Sequence, residues 1–227
     1  MGWRRYAIYF TPEGALAERG AAWLGWDAAA GAARAHPGLS GLPRPVDEIT
    51  ARPRAYGFHA TLKPPFRLAA GCSEADLGAA LEAFAAGRPA VVLDGLEVAR
   101  LGRFLALRPA GDAAALSALA AAVVEGLDPF RAPPADDEIA RRRAARLTPR
   151  QEALLARWGY PYVMEEFRFH MTLTGPLGPD ELAQTETVLA RHFAPVLPAP
   201  FVADAVTLLA EDDAGRFHHL HRYTLTG

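Results

Sequence analysis

Two windows of this chain alternate between large apolar and polar side chains, and they do so in step. Phe58-His59-Ala60-Thr61-Leu62-Lys63-Pro64-Pro65-Phe66 and Phe169-His170-Met171-Thr172-Leu173-Thr174-Gly175-Pro176-Leu177 share Phe, His, Thr, Leu and Pro at five of nine positions. A period of two is that of a half-buried strand. Successive strand side chains point to opposite sides, so Phe58, Ala60 and Leu62, or Phe169, Met171 and Leu173, turn into a core. The opposite face carries His59, Thr61 and Lys63 from the first copy, and Arg168, His170, Thr172 and Thr174 from the second. Core packing explains why Phe, Leu and Pro recur. It gives no reason to repeat His and Thr on the polar face.

Elsewhere the pattern predicts a buried strand over residues 3–10 and a helix opened by Pro12 and reaching about Ala29. A long loop rich in Pro, Gly and Arg follows from His36 to Pro53. The first motif strand covers 57–63 and is stopped by Pro64-Pro65, and Ser73 with Asp76 starts a helix to about Ala86. Val91 to Leu101 and Phe104 to Arg108 read as a hairpin, followed by a helix from about Asp112 to Gly126. A polar, basic insert spans about 128–165, with one helix holding Arg141, Arg142, Arg143 and Arg146 and another from Thr148-Pro149 to Trp158. The second motif strand covers about 166–174, Gly178-Pro179 leads a helix to about Phe193, and strands 201–210 and 217–225 follow. Each motif is thus followed by turn, helix, strand and strand. This repetition predicts one bilobal α+β domain over 1–227, with antiparallel sheets and helices in two pseudo-symmetric halves. The first lobe covers about 1–110 with its motif at 58–62, the second about 111–227 with its motif at 169–173, and the motif strands face a central cleft.

Composition narrows the chemistry. A hydrophobic content of 51% supports a sizeable core, and a net charge of −2 supplies no field to attract a long nucleic acid. The lone cysteine, Cys72, forms no internal disulfide and heads no thiolate metal set, which fits a reducing, cytoplasmic setting. No signal-peptide core or membrane-spanning run is legible.

Histidine titrates near neutrality, so a neutral imidazole can take a proton from water while an imidazolium hands one to a leaving oxygen. Phosphodiester cleavage needs both, with donors on the nonbridging oxygens. Thr61 and Thr172, each two residues beyond its histidine, supply those donors, and Lys63 and Arg168 share the same faces to neutralise phosphate charge.

The motifs His59-Ala60-Thr61-Leu62 and His170-Met171-Thr172-Leu173, 111 residues apart, resemble those of the 2H phosphoesterase superfamily. The surrounding Tyr56-Gly57-Phe58, Trp158-Gly159-Tyr160-Pro161-Tyr162-Val163 and Phe167-Arg168-Phe169 are similar to its LigT-like, uncharacterised branch associated with phosphonate-metabolism genes. The resemblance implies a bilobal fold, no metal or other cofactor, and hydrolysis of a cyclic or linear phosphodiester, often at a ribose 2′ oxygen. His59, Thr61, His170 and Thr172 then form the catalytic set. A small cyclic diester, such as a phosphoribosyl cyclic phosphate, is the expected substrate, with Tyr56, Lys63, Arg131, Arg142 and Arg168 as its binding residues. The long insert departs from minimal relatives. An RNA-end or nucleoside 2′,3′-cyclic phosphodiesterase is the alternative activity, and a non-catalytic phosphometabolite-binding module the alternative class. A third reading, a metal site on His219 and His221 sharing one strand face, has no evident third ligand. Neither a membrane nor a long nucleic acid is an expected partner.

Overall fold

The computed structural model describes residues 2–227. In chain order its elements are β1 (Arg5–Phe10), α1 (Gly14–Leu24), β2 (Trp26–Asp27), β3 (Ala32–Ala33), α2 (Val46–Ile49), α3 (Ala51–Arg54), β4 (Ala60–Phe66) and α4 (Glu74–Ala86). There follow β5 (Val91–Leu93), β6 (Gly95–Leu101), β7 (Phe104–Ala110), α5 (Ala114–Gly126), α6 (Asp136–Arg143) and α7 (Pro149–Trp158). The chain ends with β8 (Met171–Thr172), α8 (Pro179–Phe193), β9 (Phe201–Ala203), β10 (Ala205–Glu211) and β11 (Phe217–Thr224).

The α+β architecture of antiparallel strands and helices expected from the sequence is present. Its halves are fused edge to edge in one seven-stranded sheet, ordered β11-β10-β1-β4-β8-β7-β6. The seam is the β4–β8 pair, where Ala60 faces Met171, so the two motif strands are direct neighbours. The halves of the sheet are not the halves of the chain. Strands β6 and β7, from the first part of the sequence, flank the second motif, whereas β10 and β11 flank β1 on the side of the first.

Ala60, Leu62, Met171 and Leu173 are buried on one face, under apolar residues of α1, α4, α5 and α8. Burying a side chain of Leu size contributes about 1.5–3 kcal/mol, so this layer holds the sheet to its helices. Helix starts follow the local chemistry: Ser73 and Asp76 close a capping box on α4, and Thr148 with Gln151 does so on α7, which opens on Pro149. Helix α1 stops at Leu24, earlier than the sequence predicts, because Gly25 takes a left-handed φ of 80° and donates its N–H to the Ala21 carbonyl.

Three strand expectations are corrected. Pro64 and Pro65 do not end β4, which runs on to Phe66 through register irregularities opposite β1, where a missing N–H is tolerated. The segment 91–101 divides at Asp94, with β5 pairing β9 while only β6 forms the hairpin with β7. The second motif contributes only two paired residues, Met171 and Thr172, since residues 167–170 and 173–174 take no strand structure and a 3-10 turn over 164–166 precedes them.

Candidate active site

With Ala60 opposite Met171, stepping the antiparallel register one residue either way sets His59 opposite Thr172 and Thr61 opposite His170. All four side chains leave the face opposite the core, and all four are half-buried. Each histidine is therefore flanked by the threonine of its own motif and by that of the other. The two imidazoles stand as diagonal cross-strand neighbours, a relation that spans about 7–8 Å between Cα atoms.

The imidazoles are held alike. His59 Nδ1 lies 3.0 Å from the Gly57 carbonyl, and His170 Nδ1 lies 2.7 Å from the Arg168 carbonyl, in both cases two residues upstream. A carbonyl only accepts, so Nδ1 carries the proton and Nε2 is left for chemistry. His59 Nε2 reaches Thr61 Oγ1 at 3.1 Å. Gly57 makes the first carbonyl available: it has φ 75°, and a Cβ there would stand 2.8 Å from the Ala28 Cβ.

Their surroundings differ. The His59 ring stacks on Tyr9 at 3.8 Å, with Tyr56 tilted against it at 6.1 Å. Burial lowers its pKa to about 4, with His170 and His219 adding smaller repulsion. His170 has only Phe104 beside it, at 5.7 Å, and burial lowers its pKa as well. Both imidazoles are thus neutral at pH 7. Tyr9 lies opposite Thr61 and was hidden in the sequence, because an aromatic in an apolar strand reads as core.

The remaining expected site residues scatter. Lys63 does not share the face of His59 and Thr61. A register shift sets it opposite Ile8 while Thr61 stays opposite Tyr9, and its side chain is buried, with the ammonium bonded to the Val124 carbonyl at 3.0 Å and Asp128 at 3.4 Å. Burial lowers its pKa to about 8, against the pull of Asp128. Arg131 is committed to the same carboxylate at 2.7 Å and to the Arg157 carbonyl. The Arg168 guanidinium bonds the carbonyls of Glu165 and Phe167, so this residue serves His170 through its own carbonyl. Tyr56 stacks on Phe217 at 5.2 Å next to His59. Arg142, half-buried, lies 4.5 Å over the Tyr160 ring.

The metal reading on β11 is corrected by a bulge. His221 partners Leu208 and His219 partners Leu209, consecutive residues of β10, so the two histidines point to opposite faces. Among the described residues no cluster of three metal-ligating side chains forms, and no helix is long and apolar enough to cross a membrane.

Comparison with known proteins gives this arrangement a family. The family described as a protein of unknown function, DUF1045, matches residues 61–218, and the chain belongs to it. A "Ribose 1,5-bisphosphate phosphokinase PhnN" of Janthinobacterium sp. (strain Marseille) is 42% identical over 93% of this chain and 48% of its own length. One of the same name from Laribacter hongkongensis (strain HLHK9) is 38% identical over 96% of this chain and 51% of its own. The chain spans about half the length of these curated relatives. Among solved structures, E. coli LigT complexed with 3′-AMP is similar at 17% identity and TM-score 0.44, covering 100% of both chains. TT0787 of Thermus thermophilus is similar at 17% identity and TM-score 0.46, covering 98% of both. Similarity at this level says nothing of the chemistry.

Proposed function

We propose that this protein is a phosphodiesterase of the 2H type, needing no metal, which opens a small cyclic phosphodiester by paired histidine catalysis. The observation that carries this reading is the cross-paired quartet, with two Nδ1-anchored imidazoles set diagonally among two threonine hydroxyls. His59, whose lower pKa keeps it neutral, takes a proton at Nε2 from water as the water oxygen bonds to phosphorus. The phosphorus–oxygen bond to the sugar breaks, and His170 Nε2 gives its proton to the departing oxygen. Thr61 and Thr172 hydroxyls bind the nonbridging oxygens as charge builds on them. The substrate anion itself favours the imidazolium form of His170.

The relatives' name supplies a chemical constraint. A cyclic diester whose hydrolysis yields ribose 1,5-bisphosphate, the compound in that name, must already carry a 5-phosphate and close its ring through the 1-phosphate. The neighbouring 2-hydroxyl closes a five-membered ring, so the substrate is a 5-phosphoribosyl 1,2-cyclic phosphate, cleaved at the 2-oxygen. A phosphonate-degrading route that produces this diester would then pass the product to the kinase. The kinase activity itself is not read onto this chain. Its only lysine is Lys63, buried and followed by Pro64, whereas a nucleotide-phosphate loop needs Gly-Lys-Ser/Thr.

Phosphorus NMR of the protein with a panel of cyclic phosphates tests the reading. Conversion of the cyclic resonance to a monoester in excess EDTA is the expected result. Tight product binding without turnover would sink it and favour a binding module. Preference for nucleoside 2′,3′-cyclic phosphates would favour an RNA-end enzyme.

A further inference from the structure

Beside His59 lie polar groups that the hydrolytic step does not use. Tyr9 is 1% exposed, and its hydroxyl, which has no hydrogen bond to any described residue, is not among the fully enclosed unpartnered atoms, so what little of the side chain reaches the open face includes this oxygen. A phenol hydroxyl that opens beside His59 with no partner in the protein has its donor free for a ligand. The hydroxyls of Tyr56 and Tyr160 likewise have no partner among the described residues, and one face of each ring is already covered, Tyr56 by Phe217 and Tyr160 by the Arg142 guanidinium. What they still offer is their hydroxyls. A nucleobase would need the faces, whereas an oxygen-rich anion needs the donors.

The three phenols and two guanidiniums share one electrostatic neighbourhood. Burial raises the Tyr160 pKa, opposed by Arg142 and Arg52 and assisted by Tyr162 and Tyr56. Burial likewise raises that of Tyr9, which also feels Tyr56, Arg5 and Tyr160. Arg5 is taken by Glu211, at 2.5 and 2.7 Å. Arg52 is exposed, has no carboxylate partner among the described residues, and stands beside Gly175, one residue past Thr174 of the second motif. Arg142 has only a long contact of 3.5 Å to Glu138. Lys63 and Arg131 are tied to Asp128 and unavailable.

We propose that the hydroxyls of Tyr9, Tyr56 and Tyr160 with the guanidiniums of Arg52 and Arg142 form a second phosphate subsite, which holds the non-reacting terminal phosphate of the substrate. This deepens the phosphodiesterase reading and rests on it for the identity of the substrate. The subsite selects sugar phosphates over nucleosides. Arg52 approaches from α3, beside the second motif, and Arg142 from the insert, so the long insert contributes specificity.

Two measurements separate this subsite from the hydrolytic reading. By isothermal titration, ribose 5-phosphate should bind the wild-type protein more tightly than ribose, with affinity falling about 100-fold in the Arg52→Ala/Arg142→Ala double variant, since each charge-assisted bond is worth about tenfold or more. Tyr9→Phe, which keeps the ring on His59, should weaken it about fivefold, the scale of one neutral hydrogen bond. In turnover, the ratio of kcat/KM for 5-phosphoribosyl 1,2-cyclic phosphate to that for the diester lacking the 5-phosphate should collapse in the double variant. An unchanged ratio, or unchanged ribose 5-phosphate affinity, overturns the subsite. If neither diester is hydrolysed but ribose 5-phosphate binding still depends on these residues, the subsite stands and the hydrolytic reading falls. If both diesters turn over equally well in the wild type, the reverse holds. The single exposed variant Arg52→Ala, checked by thermal melting, guards against loss of fold in the double.

Discussion

The two motif copies agree at their first two polar positions and part at the third. His59 and His170 each hang from a carbonyl two residues upstream, and Thr61 and Thr172 stand beside them half-exposed. The third pair, Lys63 and Thr174, is buried and spoken for by the backbone. Lys63 donates to the Val124 carbonyl, and the Thr174 hydroxyl accepts the Leu105 N–H at 3.0 Å. A repeated residue was kept at the surface, while unlike residues at the matching third place went into support. The histidines differ in turn through their second neighbours, Tyr9 stacked flat on one and Phe104 merely tilted near the other.

If the copies are equal partners in chemistry, removing either histidine should cost about the same. His59→Ala and His170→Ala are each expected to lower kcat about 10²–10⁴-fold, the range of general acid–base catalysis, in a continuous assay of cyclic phosphate opening. A variant that keeps full activity would break the symmetry and the mechanism with it.

Unequal support at the third position should show in stability. Asp128→Ala strands the buried Lys63 ammonium and is expected to cost about 3 kcal/mol in denaturant unfolding, the lower end for an orphaned buried charge. Thr174→Val leaves only the Leu105 N–H without its bond and should cost about 1–2 kcal/mol. Equal losses would mean that the lysine pair contributes no more than a hydroxyl. Because Lys63 has a folded pKa of about 8, below its ordinary 10.5, the unfolded chain binds more protons between those values. The stability of the wild-type protein should therefore rise across that window.

The finest contrast is in titration. The profile of kcat/KM reports groups of the free enzyme, so it should be bell-shaped, with an acid limb near pH 4 from His59 and an alkaline limb below 6.5 from His170. Tyr9→Leu, by opening the His59 ring to water, should move the acid limb upward. A profile with both limbs above pH 7 would contradict the burial of both rings.

The clustering of His59, Thr61, His170 and Thr172 was legible because a polar pattern repeated where packing demanded nothing. Lys63 was misplaced because periodicity assumes an even ladder, and the shift between Thr61 and Lys63 turns the later residue away. His219 and His221 failed in the same way, through a bulge on β11 that spacing cannot reveal. The helices were read to within a few residues where caps marked them, as at Ser73 and Thr148. The order of the sheet was not legible. Pairing of strands such as β1 and β10, some two hundred residues apart, is decided by which edges find each other in space.

That exchange of hairpins has a consequence in time. The first motif cannot be flanked on the side of β1 by its full set of strands until β10 has left the ribosome, and the second meets β7 only after the α5–α7 region has been made. Only the hairpins β6–β7 and β10–β11 are local, while the other four pairings of the central sheet join distant segments, and such distant pairings slow the search for the native state. Residues 1–110 made alone would hold the first histidine but not the edge that covers it. The two histidine motifs can therefore pair only once β8 has been made, and a half-made chain carries one histidine without the other.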